Sequence, residues 1–142
     1  MACILALDIG ENTIGVAMSD ETETLAFPGE TIIRHEGYKR DMAVLRQMVL
    51  EREVAEVVVG MPLMMDGTRA VQAGKIEAFV VDLQRYVHVP IMEQDERLST
   101  SEADRLLIQA NRNREERKKV VDSVAASLIL QSYLDKKRAL KA

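Results

Sequence analysis

Asp8 closes the apolar run Ile4-Leu5-Ala6-Leu7, where a β-strand is expected although Asp is depleted in strands. Alternation groups it with Ile4 and Ala6, and a carboxylate at such a position needs a partner, a metal or water. It is either a ligand-bearing acid or a strand-terminal Asp entering the turn at Gly10. Asp122 raises the same question near the other end of the chain. On a helix it shares a face with Ala125, Ala126, Ile129 and Tyr133, about two turns inside the expected helix start and so too deep for a macrodipole effect. Between the two, Gln94-Asp95-Glu96-Arg97 follows an apolar stretch, and loops beyond the carboxyl ends of strands are the usual place for ligand chemistry in open α/β sheets. Asp8 and Asp122 with Asp95 or Glu96 form an all-oxygen set. Carboxylates gathered at one sheet end repel each other, and Mg²⁺ or Mn²⁺ relieves that repulsion. Two such ions about 3.5–4 Å apart can activate water and stabilise the leaving oxygen of a phosphodiester.

Alternating elements must position these acids. Ile4 to Ile9 and Thr13 to Met18 read as a hairpin, and a third strand lies within Thr24 to Ile33, with Pro28-Gly29 predicting a bulge or loop. Tyr38, Met42, Leu45, Met48 and Val49 recur at helical spacing, and Val54 to Val59 read as a strand buried on both faces. The turn at Asp66-Gly67-Thr68 opens a helix carrying Ile76, Phe79, Val80 and Leu83, and Val87 to Met92 predict another strand. Ser99 and Glu102 have the spacing of a capping box ahead of a short helix with Ala103, Leu106, Leu107 and Ala110. A last helix runs from about Glu115 to Leu134, with Val121, Ala125, Leu128, Ile129 and Tyr133 inward, and Ala125-Ala126 allow it close to the sheet. The order β-β-β-α-β-α-β-α-α predicts a ribonuclease H-like mixed sheet, in which three antiparallel strands precede alternating helices and strands.

A length of 142 residues, 47% hydrophobic and 30% charged, fits one domain over 1–142 and excludes a two-lobed enzyme. Cys3, the sole cysteine, reads as a core residue, and His35 and His88 lack the spacing of a zinc site. No apolar stretch approaches the ~18 residues of a membrane span and no charged signal start is seen, which predicts a cytoplasmic protein with no membrane partner. Nineteen Lys+Arg against 23 Asp+Glu give a net charge of −4, so nucleic acid can be held only by local patches. One is 111–119, with Arg112, Arg114, Lys118 and Lys119; the other, Lys136-Lys137-Arg138 with Lys141, reads as a frayed, solvated end.

Five blocks in order, Ala6-Leu7-Asp8-Ile9-Gly10, Ile14-Gly15-Val16-Ala17, Val59-Gly60-Met61-Pro62-Leu63 with Asp66-Gly67, Asp95-Glu96-Arg97-Leu98-Ser99-Thr100, and Val121-Asp122-Ser123 with Ala125-Ala126 and Leu130-Gln131-Ser132-Tyr133-Leu134, resemble the YqgF/RuvX family across nearly the whole chain. The resemblance implies a ribonuclease H-like fold related to RuvC-type Holliday junction resolvases. It also implies a nuclease role in ribosome biogenesis, maturing the 5′ end of pre-16S rRNA. Its acidic set falls on Asp8, Glu96 and Asp122. The leading reading is a two-metal nuclease using Mg²⁺ or Mn²⁺, with those acids as catalytic ligands and with Arg97 or the Arg112, Arg114, Lys118 and Lys119 cluster holding backbone phosphate. Two departures bear on substrate grip: Glu11-Asn12-Thr13 replaces a commonly basic position, and Met64 stands where Asn is common. RNA is the favoured substrate. Branched DNA is the alternative and would ask for a homodimer rather than a monomer, since a junction needs two symmetric cuts. Asp8-Ile9-Gly10 with Thr13 faintly resembles the phosphate loop of actin-like kinases, which the length disfavours, and a non-catalytic docking domain leaves three aligned carboxylates unexplained.

Overall fold

Ile4, Ala6 and Asp8 face one side of the first strand and Leu5, Leu7 and Ile9 the other, so this strand needs cover on both faces. A computed structural model provides it, describing residues 3–37, 39–62, 67–96 and 114–141, with the side chains of 67–70, 96, 114–120 and 141 outside the described set. Strand β1 (Cys3–Ile9) is central in a five-stranded sheet that also contains β2 (Thr13–Ser19), β3 (Ala26–Ile33), β4 (Val54–Pro62) and β5 (Ile91–Glu96), in the order β3-β2-β1-β4-β5. The first three strands pair antiparallel, and β4 and β5 join parallel, as the element order predicts. Helices α1 (Lys39–Glu51) and α2 (Gly67–Leu83) cover one face, where Leu5, Leu7 and Ile9 join Met42, Leu45, Ile76, Phe79 and Leu83. Helix α3 (Arg114–Lys141) covers the other, packing Ala126, Ile129, Leu130 and Leu134 on Ile4, Ala6, Ala17 and Val58. Each large aliphatic side chain buried in this way contributes about 1.5–3 kcal/mol.

Several expectations need correction. The apolar run Val87 to Met92 is not one strand. Val87 is buried and its N–H donates to the Leu83 carbonyl, closing the end of α2, and the chain reaches β5 only after Pro90, whose carbonyl accepts from Val57 N–H at 2.9 Å. Gln94 to Glu96 therefore belong to the strand rather than to a loop beyond it, as do Gly60 to Pro62 in β4. Pro28-Gly29 do not interrupt β3; they lie in an edge strand, where Pro is tolerated, opposite the register shift between Gly15 and Ala17. Helix α3 continues to Lys141, so Lys136 to Arg138 are helical rather than frayed. Its fully buried stripe is Ala125, Ala126, Ile129, Leu130 and Leu134, while Val121, Leu128 and Tyr133 are half-buried. The helix expected after Ser99 lies outside the described residues. Cys3 is buried, which pushes its thiol pKa up.

Polar clamps fix the register of α3 along the sheet. Gln131 accepts from Ala26 N–H at 2.9 Å and donates to the Thr24 carbonyl at 3.0 Å, so one amide side chain pairs with two backbone groups of the β3 approach. Tyr133 donates to Glu56 at 2.9 Å, and Lys137 donates to Glu23 and Glu56 at 2.8 and 3.2 Å. Hydrogen bonding to Glu23 raises the Lys137 pKa, and burial first, then Glu56, raises that of Tyr133. Both folded-state values lie above the unfolded ones, so this stabilisation is complete below about pH 10 and falls away as pH rises through the folded pKa values. Alkaline denaturation followed by circular dichroism is expected to show that loss, and it is expected to be smaller in a Tyr133→Phe, Lys137→Met variant.

At Gly15, α3 meets β2 at backbone distance. A Cβ there would collide with the Asp122 carbonyl and lie 2.9 Å from the Ser123 nitrogen. Gly15→Ala must displace the helix, at a cost of about 1–3 kcal/mol. Urea melts are expected to show this loss, whereas Gly74→Ala, at an open helical position, is expected to be neutral or stabilising.

Candidate functional site

Asp8 pairs across β1 and β2 with Gly15, and antiparallel partners place their Cα atoms about 4.5–5.5 Å apart on one face. The α3 backbone crosses Gly15 at Asp122. The two acids singled out from opposite ends of the sequence thus lie side by side, on the face that α3 covers, where β1 ends and β2 begins. Both are half-buried. On the other flank of Asp8, Gly60 follows Val59, the β4 partner of Leu7. Glycines therefore border Asp8 on two sides, Gly15 under the α3 backbone and Gly60 on β4.

Thr13, the first residue of β2, donates its hydroxyl to Asp122 Oδ2 at 2.5 Å, fixing that carboxylate against the β1–β2 turn. Sequence reasoning missed this role; the only signal was a hydroxyl on the strand that follows the glycine turn. Gln94 was also missed as a site residue. It is buried, paired in register with Gly60, and two positions beyond Met92, the partner of Val58 on the α3 face. Both edges of the Asp8 row thus carry polar groups. Among the described residues, no buried side-chain nitrogen or oxygen lacks a hydrogen-bond partner.

Glu96 ends β5, paired with Pro62, and its side chain lies outside the described set. Position 96 has the parity of 92 and 94, whereas Asp95 has the parity of Ile91, which packs on the α1 and α2 face. Alternation thus separates Asp95 from the face shared by Asp8 and Asp122. Among the described residues, no three His, Cys, Asp or Glu side chains gather closely enough to hold a metal. Arg97 and Arg112 lie outside the described residues, and Arg114, Lys118 and Lys119 are on the first turns of α3 with side chains outside them. The second basic patch is engaged structurally: Lys137 pairs with Glu23 and Glu56, and Arg138 pairs with Asp135. No helix among the described residues is long and apolar enough to cross a membrane.

This architecture is shared with solved resolvases of the ribonuclease H-like class. RuvC from T. thermophilus, in complex with a Holliday junction substrate, superposes with a TM-score of 0.60 at 13% identity, covering 97% of this chain and 96% of that one. The fowlpox virus Holliday junction resolvase gives 0.55 at 15% identity, covering 94% and 99%. At the sequence level, a profile of the RuvX family, described as Holliday junction resolvase, matches residues 2–136. A Desulforamulus reducens protein is 45% identical over 93% of this chain and 96% of its own length, and one from Thermoanaerobacter pseudethanolicus is 44% identical over 95% and 97%. Both are named as candidate pre-16S rRNA nucleases. The chain belongs to the RuvX family.

Thr13→Val removes the hydroxyl while keeping the side-chain shape. Hydrogen bonds to charged groups contribute about 1.5–3 kcal/mol, so a double-mutant cycle with Asp122→Ala, which removes the acceptor, is expected to give a coupling energy above about 1 kcal/mol. Strictly additive urea-melt free energies would show that the hydroxyl does not hold the carboxylate.

Proposed function

We propose that this chain is a divalent-metal-dependent nuclease, acting in the cytoplasm as one domain over 1–142, that hydrolyses phosphodiester bonds of RNA in maturing the 5′ end of pre-16S rRNA. The observation that carries the reading is the crossing of α3 over Gly15, which lays Asp122 beside Asp8 at one end of the sheet. Two acids held side by side suit a hard cation, and an all-oxygen donor set suits Mg²⁺ or Mn²⁺. The names of the relatives support RNA as the substrate, and the family description, Holliday junction resolvase, supports nuclease chemistry on nucleic acid.

In this reading Asp8, Asp122 and Glu96 hold the cations, with Glu96 preferred over Asp95 because position 96 shares the strand parity of Met92 and Gln94. Bound there, two cations would activate a water and stabilise the leaving oxygen. The remaining work falls to the chain's own groups. Thr13 keeps the Asp122 carboxylate from rotating away, and Gly60 presents no side chain beside Asp8, where the phosphodiester would lie. Arg97, Arg112, Arg114, Lys118 and Lys119 are assigned to the phosphates of the backbone. Water attacks phosphorus, the bond from phosphorus to the leaving oxygen breaks, and a proton passes to that oxygen.

The test is cleavage of labelled single-stranded RNA, double-stranded RNA and four-way DNA junctions in Mg²⁺ and in Mn²⁺. RNA cleavage that Asp8→Asn, Asp122→Asn and Glu96→Gln each abolish is expected, with double variants no worse than single ones because the ligands act as a unit. Paired symmetric incisions in the junction with RNA intact would replace the reading with a resolvase acting on branched DNA. Millimolar Mn²⁺ is also expected to raise the melting temperature of the wild type but not of Asp8→Asn, because ligand binding to the folded state adds to stability.

A further inference from the structure

The turn after Asp8 has a second side. Beyond Gly10 and Glu11, away from α3, a groove of about 910 Å³ opens between the β1–β2 turn and α2. Its walls combine Ile9, Val71, Ile76 and Ala78 with Arg34 and Lys75. We propose that this groove is a nucleotide subsite for the RNA strand beside the cleaved bond, with Arg34 and Lys75 meeting a flanking phosphate and the exposed Val71 supporting its base. The assignment rests on the nuclease reading, since it takes the scissile phosphate to lie above Asp8, two residues before Gly10.

Three observations carry it. The first is the way Arg34 is held. It donates Nη1 to the Gly10 carbonyl at 2.6 Å, lies 5.3 Å over the Phe79 ring, and has Nε 4.0 Å from Asp41, whose carboxylate also meets His35. A guanidinium has five N–H donors, so these partners orient it at the groove wall without exhausting it. The second is Lys75. Its contact is Glu11 at 3.5 Å, with side chains 66% and 79% exposed, and an ion pair so open contributes little enough for a phosphate to displace it. The third is Val71, which is 63% exposed on the groove side of α2, an apolar surface that a base can cover. The turn Glu11-Asn12-Thr13 carries no cation itself, so Arg34, just after β3, and Lys75 on α2 supply the positive charge around it. A strand crossing this turn would pass from the acids on one face of the sheet to the groove on the other.

The experiment is steady-state cleavage of a short labelled single-stranded RNA in Mn²⁺ by the full chain. Lys75→Glu is expected to raise KM about tenfold with kcat nearly unchanged, and Lys75→Ala to reduce the salt slope of binding by roughly 0.7, the loss of one phosphate contact. Lys136→Glu makes the same change in net charge at the far end of α3 and is expected to move neither. Equal thermal melts will show that the exposed Lys75 variants are folded. If wild type cleaves and Lys75→Glu behaves like Lys136→Glu, the groove is not a subsite and the nuclease reading stands. If wild type leaves the RNA intact in Mn²⁺, the reading as an RNA nuclease fails and takes the subsite with it.

Discussion

A helix can lie against a strand at backbone contact only where the strand offers no Cβ, and Gly15 meets that condition directly opposite Asp8. Everything at the site follows from this approach. A side chain at position 15 would lift α3 from the sheet and carry Asp122 away from Asp8. The clamps made by Gln131, Tyr133 and Lys137 set how far along the sheet the helix sits, so that a residue three turns earlier arrives over Gly15. Interactions at the far end of the molecule therefore determine the geometry of the acids.

Much of this was legible in the sequence, for reasons that can be named. Leu5, Leu7 and Val57 to Val59 read as strands because both faces of the central sheet are covered, and Asp8 and Asp122 stood out because acids on apolar faces need an explanation. The residues alone left Asp95 and Glu96 open, and the choice of Glu96 came from the family resemblance. The errors have a common cause. Val87 and Val89 pack on the core in the connection from α2 to β5, and hydropathy does not distinguish a packed connection from a strand. Thr13 was read only as part of a faint phosphate-loop pattern, since its partner Asp122 is 109 residues away.

The charge distribution shapes how such a protein would grip a strand. With a net charge of −4, attraction to nucleic acid cannot be global. It must come from local cations; Arg34 and Lys75 lie near the turn that separates the two faces, while Lys137 is committed to holding α3 on the sheet and Arg138 pairs with Asp135 within the helix. A protein built in this way would bind weakly and rely on cations between its acids for much of its hold on a phosphodiester.

Paramagnetic broadening by sub-stoichiometric Mn²⁺, read on backbone amide resonances of the full chain, tests most directly whether Asp8 and Asp122 form one cation site. The account predicts that Gly10, Gly15, Asp122, Ser123 and Gln94 lose intensity first, while Ala26 and Lys136 at the other end of α3 keep theirs. Broadening centred on any other part of the molecule, or spread evenly over its surface, would contradict it.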